Sequence, residues 1–596
     1  MSDTCVVVLG VTPSEAVVPY LRARERTTCR AKVETTEGGA DVRARGSLTA
    51  RGSMVWACTI GVVLLGSAEP SFSQLRRPYE AVVVVGDSLL SAAGLRVDQV
   101  RLWAYRADIW QWTPVPLQID EVNPKVAPWN RYFTPEDSLQ GIFDLDDELV
   151  VMARDLGDSA DSAAWLGSSD SVRFELEFTD SLDGTSAFLY LYPHITDTQI
   201  PAPYAMAYDS LNDRVVTAAY QVGFNHTGQL AEVVIPAAVG GSGQDLFDRF
   251  KVRVLGSWLF FPIRMEEELI HAERAYARVG PVRIIRNLDA RFKFDLLQVD
   301  QPFTQTVLFY PYSGSFILSG LPLEKAKDFG AQVDVVRASW DMSPSAAGMR
   351  FYSASNPEGV PVDGVRDHVN TACSAAELNW TLLTGAPGSM VNLFYVPPLG
   401  DRVALYYHDA TDGTTADGSA LSRDTGDGFS YGDNGFLLSG NIENFFGPGV
   451  VFSLMYQNYF LPPDISPEEA ARMCAQATHP LQVSVRLQRR AAPPSAVEAA
   501  PAAVPLHFAL GAYPNPSRGT ATVSFLLRER CRVSLELYDA AGRLVRRLME
   551  SETLPGTHQV NWDGNDALGR PMPSGVYFCR LRAEGRTAAA KLLLVR

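Results

Sequence analysis

Val172-Arg-Phe-Glu-Leu-Glu-Phe178 alternates without a break between apolar and charged side chains. Successive side chains of a strand leave opposite faces, so Val172, Phe174, Leu176 and Phe178 share one face while Arg173, Glu175 and Glu177 share the other. Ala187-Phe-Leu-Tyr-Leu-Tyr192, Lys251-Val-Arg-Val-Leu255, Val282-Arg-Ile-Ile285, Arg291-Phe-Lys-Phe-Asp-Leu296 and Val391-Asn-Leu-Phe-Tyr-Val396 repeat the theme. Clusters of Gly, Pro, Asn and Asp separate these runs, and sustained helical periodicity is rare. The expectation is a mainly β, multi-domain chain of antiparallel sandwiches. One helix start stands out at Ser466-Pro-Glu-Glu469, where a capping Ser precedes Pro at the first helical position.

Composition bounds the function classes. The chain has 596 residues, 46% hydrophobic and 20% charged. This balance excludes wholesale disorder and a polytopic membrane protein, and the length exceeds what one core supports. A net charge of −16 excludes nucleic acid as the main partner, because phosphate binding needs a basic face. The charge is uneven. Residues 506–596 hold 13 basic against 8 acidic side chains, whereas 74–505 hold 31 against 53. Between them, Arg489 to Pro505 is rich in Ala and Pro and reads as a semi-extended linker. The expected organisation is a leader over 1–73, a β domain over 74–200, a larger β-sandwich over 201–488, the linker 489–505 and a last domain over 506–596.

Val55 to Gly66 is an apolar run too short to span a bilayer comfortably and of the length of a signal-peptide core. Arg45 and Arg51 precede it. Ser71 and Ser73 place small residues three and one before a cut at Gln74. Export therefore follows as an expectation, with translation starting a little upstream of Met54.

The last ninety residues carry the most specific pattern. Tyr513-Pro-Asn-Pro516 precedes Leu537-Tyr-Asp-Ala-Ala-Gly-Arg-Leu-Val545, then Trp562-Asp-Gly564 with Gly569, and Ser574-Gly-Val-Tyr-Phe578. This succession resembles the C-terminal sorting domain of type IX secretion substrates and the Ig-like domain of flagellar hook-capping proteins. The resemblance implies an Ig-like sandwich in which Asn515, Pro516, Gly542, Trp562, Asp563, Gly564, Gly569, Gly575 and Tyr577 are structural. It also implies an outer-membrane secretion machinery as partner, and a secreted or cell-surface location. Val115 to Val122 and Gly141 to Ala153 resemble only uncharacterised secreted bacterial β-proteins.

Four cysteines follow the expected cut. The domain division favours the pairs Cys373–Cys474 and Cys531–Cys579, the alternative being four reduced, buried thiols. Asp144, Asp146 and Glu148 have the first spacings of a calcium loop, but Leu149 stands where that loop needs Gly. An irregular Ca²⁺ site is the weak reading and an acidic turn the stronger one. Asp409 to Asp433 is a second acidic stretch, read chiefly as a solvated insertion.

No nucleophile motif is present. His271, with Arg283 and Arg286, supplies the base and cations that a lyase for acidic polysaccharide would need. Trp103, Trp110, Trp112 and Trp129 cluster early, and Phe309-Tyr-Pro-Tyr312 and Tyr406-Tyr407 follow. Exposed aromatic faces stack on sugars, although most such residues are core. The favoured expectation is an exported binding or structural protein, with glycan as its candidate ligand. The alternative is a polysaccharide-degrading enzyme.

Overall fold

In the computed structural model, residues 6–10 and, with short interruptions, 75–490 and 510–594 are described. The leader beyond Val6–Gly10, the cleavage residues Ser71, Ser73 and Gln74, nearly all of the linker, and Asn515 and Pro516 lie outside the described residues. The chain is mainly β, built from several antiparallel sheets.

The first sandwich packs two sheets. Ala81–Val85, Glu148–Met152 and Gln118–Asp120 form one. The other runs Gln482–Arg489, Val172–Thr179, Ser186–Leu191, Leu102–Arg106, Gln111–Val115. Phe174, Leu176 and Phe178 point into the core between them, beside Val82, Val84, Leu149 and Val151. The alternation of the strand at 172 therefore places its faces as expected. Ala81-Val-Val-Val-Val85 does not alternate because it is buried on both sides: Ala81 and Val83 meet Val282, Ile285 and Leu308 of the next domain. Strand Gln482–Arg489 lies at the end of the expected larger domain yet pairs residue for residue with Val172–Thr179.

The larger sandwich sets a ten-stranded sheet against a five-stranded one. The first runs Ile270–Val279, Ile284–Phe294, Val299–Phe309, Ser313–Leu321, Val451–Leu461, Gly388–Tyr395, Leu378–Gly385, Arg350–Ser353, Asn356–Pro361, with Val6–Gly10 parallel to Val451–Leu461. The second runs Phe261–Glu266, Phe247–Trp258, Ala331–Met342, Ser430–Ser439, Val403–Ala410. Phe250 and Phe316 stack on Tyr456 at centroid distances of 4.9 and 4.7 Å in the shared core. On the far side of the large sheet lies helix Pro467–Thr478. Its cap is the expected one, with Ser466 accepting from the Glu469 amide at 3.2 Å. It buries Ala470, Met473 and Cys474 on Trp380, Leu382, Val391 and Leu393. Among the described residues no helix is long and apolar enough to cross a membrane.

Residues 510–594 form a small two-sheet sandwich. Leu510–Tyr513, Ala521–Leu527 and Gly556–Trp562 face Leu544–Thr553, Cys531–Asp539, Gly575–Ala583 and Arg586–Leu594. Trp562 is fully buried at its centre, donates Nε1–H to the Asn565 carbonyl at 2.7 Å and packs on the Tyr577 ring at 5.3 Å. Asp563 holds the following turn by accepting from the Asn565 amide at 3.1 Å. Gly542, Gly564 and Gly569 all sit at φ 75°, a conformation that favours glycine.

The expected disulfides are absent: none of Cys373, Cys474, Cys531 and Cys579 is joined to another cysteine. Cys579 lies opposite Leu537, six residues along the strand that begins at Cys531. That separation is roughly 20 Å at strand spacing, against the ~4.4–6.8 Å a disulfide allows. Cys474 packs on the helix side of the large sheet, while Cys373 packs against the core on its other side.

Candidate functional site

The outer face of the first sandwich carries an aromatic shelf. Alternation sends Trp103, Tyr105, Trp112, Tyr190 and Tyr192 away from the core, together with Arg173 and Glu175. Trp112 meets the Tyr190 and Tyr192 rings edge-on at 5.1 and 5.7 Å and the Tyr105 ring at 4.9 Å. Residues 157–167 lie over part of this face and add Trp165, whose ring centroid is 6.3 Å from Tyr192. Arg173 fastens that segment. Its guanidinium donates to the carbonyls of Asp161 at 3.3 Å and of Ala164, and to Gln488 Oε1 at 2.6 Å, beneath Trp165 at 4.6 Å. Tyr190 completes the anchor by accepting from the Ala160 amide at 2.6 Å and donating to Glu175 at 3.1 Å.

The shelf is buried below and open above. Trp103 is core, Trp112 and Trp165 are half-buried, and Trp110 is 74% exposed beside Ile109 at the hairpin turn. Trp110 sits at φ 54°, a region that few side chains of its size adopt. Trp129 lies outside the described residues. Sequence reasoning found Trp110 and Trp112 but missed Trp165 and Arg173. Arg173 was legible only as one charged position of an alternating strand, and Trp165 sits among Ser, Ala and Gly with no period to mark it.

The acid–base candidates lie elsewhere and apart. His271 is exposed and faces Arg291 across the strand pair. Arg286 lies opposite Ala277, six residues further on and therefore roughly 20 Å away. Arg286 is buried against Asp213 at 2.8 Å and stacks on Phe224 at 3.6 Å. Arg283 is buried between Asp120 at 2.7 Å and Glu148 at 2.6 Å. The structure thus does not bring His271, Arg283 and Arg286 together.

Glu148, the third residue of the calcium-like spacing, is held by Arg283, Arg131 and the Tyr132 hydroxyl. Burial alone would raise its pKa, but Arg131 and Arg283 outweigh that and hold it low. Asp144 accepts from the Asp146 amide at 3.2 Å, and burial, then the hydrogen bond and charge of the Asp144 carboxyl, push Asp146 up to about 8. Among the described residues, the carboxylates that converge within 4.8 Å are a different set, Asp248, Asp341 and Asp427. Asp341 is already held by Lys251 Nζ at 2.6 Å.

That lysine belongs to a charged layer on the outer face of the five-stranded sheet. Lys251, Arg253 and Arg337 are fully buried there under the second acidic stretch. Arg253 and Arg337 are direct cross-strand neighbours. Asp424 sits between them and Lys251, at 2.7, 3.4 and 3.0 Å respectively. Burial would raise Asp424, but the three cations outweigh it and hold its carboxyl far below the usual range. Asp409 is buried too, accepting from the amides of Asp363, Gly364 and Gly432 at 2.8, 3.0 and 3.1 Å. The expected solvated insertion is therefore an inward clamp at Asp409, Asp424 and Asp433, all nearly inaccessible. Asp412 and Asp427 of the same stretch remain exposed.

No curated protein sequence matches the chain significantly. Among solved structures it is similar to an α-mannosidase from Enterococcus faecalis, with 10% identity over 83% of this chain and 55% of that one, at a TM-score of 0.33. A polysaccharide lyase is similar at 6% identity over 67% and 47% of the two chains, TM-score 0.17. Dimeric latent PorU from Porphyromonas gingivalis is similar at 10% identity over 77% and 36%, TM-score 0.14. The chain thus spans about half or less of the length of these proteins. Residues 515–586 match the FlgD Ig-like domain family, and the C-terminal module is an Ig-like domain.

Proposed function

We propose that the chain is an exported bacterial surface or secreted protein whose body binds polysaccharide, with the C-terminal Ig-like domain serving sorting or anchoring. The observation that carries the binding assignment is the shelf of Trp112 and Trp165, with the exposed Trp110 at the turn that precedes Trp112. Trp112 and Trp165 are half-buried and pack on the buried cluster of Trp103, Tyr105, Tyr190 and Tyr192, with the covering segment tied down by Arg173. Sugar CH groups stack on such rings, and Trp offers a large face at little conformational cost.

The test retains the full chain on a panel of immobilised neutral and acidic polysaccharides. Trp110→Ala and Trp112→Ala each remove one stacking face, and retention is expected to weaken about three- to tenfold per ring. Retention unchanged in both variants overturns the shelf as the site. Growth of ultraviolet absorbance from unsaturated sugar products, abolished by His271→Ala, overturns binding without chemistry. Export is tested by fractionating the native cell, where an unprocessed cytoplasmic chain refutes it.

A further inference from the structure

The hairpin joining Phe247–Trp258 to Phe261–Glu266 ends in an apolar tip. Trp258 pairs with Phe261, leaving a two-residue loop that begins at Leu259. Loops of this length favour Asn-Gly or Asp-Gly because their central residues take positive φ. This sequence puts Leu-Phe there, and Leu259 sits at φ 56°. Leu259 is 68% exposed and Phe261 63%; Pro262 is exposed and Trp258 half-buried. From Leu255 to Ile263 there is no charged residue.

The distribution of these side chains distinguishes the kind of partner. Cross-strand neighbours share a face, so Trp258 and Phe261 lie on one side of the hairpin and Pro262, opposite Ser257, on the other. Leu259 forms the apex. A strand that docks on a protein presents one apolar side, whereas here Leu259 at the apex, Trp258 and Phe261 on one side and Pro262 on the other are apolar, as is Ala331, which pairs with Trp258 from the next strand. A bilayer surrounds what enters it and accepts that arrangement. Arg264, half-buried and bonded to Glu266, follows two residues behind Pro262. At strand spacing this is about 7 Å, a depth that puts a guanidinium near lipid phosphates while the tip enters the acyl boundary. Trp258 at the base has the amphipathic ring that prefers this interface.

We propose that the Trp258–Pro262 hairpin inserts into the headgroup–acyl boundary of a phospholipid bilayer. The acidic body, with 31 basic against 53 acidic side chains over 74–505, makes apolar burial and not charge attraction the driving term. Binding to zwitterionic membranes follows, with little dependence on salt.

The experiment floats the full chain with phosphatidylcholine vesicles at low and high salt. Flotation at both is expected, and the Leu259→Asp/Phe261→Ser variant is expected to float about tenfold less or worse. Leu211→Asp alters another exposed turn residue, 93% accessible, and is expected to change nothing. Brominated lipid quenching of tryptophan emission reads insertion without disturbing the tip, and Trp258→Phe should remove that quenching. Absence of flotation, flotation retained by the double variant, or quenching unaffected by Trp258→Phe each overturns the proposal.

Discussion

Asp424→Ala removes the carboxylate that joins three buried cations. Lys251, Arg253 and Arg337 have fully buried side chains, and so has Asp424. After the change, Lys251 keeps Asp341, Arg337 keeps Asp433 and Arg253 keeps Glu266 at 3.3 Å, but the carboxylate that all three cations share is gone from a site without water. Breaking a buried pair in this way costs about 3–5 kcal/mol, much of it the desolvation of what remains. Unfolding entropy of ~2.1 cal/mol/K per residue, over a body of roughly 400 residues, converts this to a fall of about 4–6 °C in midpoint. Differential scanning calorimetry of the full chain resolves the transition. Because Asp424 titrates lower in the folded state, its contribution is complete above the unfolded carboxyl pKa and is lost as pH falls through the folded one. The deficit of the variant should therefore be constant from pH 5 to 8, within which neither form protonates. A shift below ~1 °C would refute the claim that Asp424 holds a closed, buried layer together.

Two further outcomes follow from buried groups. Glu80 is pushed up to about 7, by burial first and against the opposing pull of Arg77, which it shares with Asp180. Its contribution is present below the unfolded carboxyl pKa and is lost as pH rises through about 7, so Glu80→Gln should flatten the pH dependence of thermal stability between those limits. Iodoacetamide labelling of the denatured, unreduced chain should modify Cys373, Cys474, Cys531 and Cys579 in peptide mass spectra; recovery of either expected disulfide peptide would contradict the free thiols seen here.

Alternation was enough to find the strands and to say which face of Val172–Phe178 is core, because a period of two follows from backbone geometry alone. It was not enough to say what lies over the other face. Lys251 and Arg253 alternate with Val252 and Val254 as an ordinary solvent-facing strand would, and it is distant carboxylates, Asp424 above all, that turn that face inward. Arg173 was hidden for the same reason, covered by a segment whose composition marks it as loop. The cysteine pairing failed because membership of one domain says nothing about register: Cys531 and Cys579 share a sheet and never meet. Helix Pro467–Thr478 was legible because its cap is a contact among neighbours in sequence.

The pairing of Gln482–Arg489 with Val172–Thr179 has a consequence for biogenesis. Arg486 and Glu175 meet across that edge, 311 residues apart along the chain. At ~5–20 residues per second, a ribosome needs roughly 15–60 s after making one strand before it has made the other. Throughout that interval the earlier strand is an open edge with a hydrophobic face, the kind of surface on which nascent chains aggregate. The first domain therefore cannot close before the end of the body has been made. A truncation just short of residue 482 should leave Val172–Thr179 without its edge partner and yield a chain that collapses onto itself rather than a shorter folded protein.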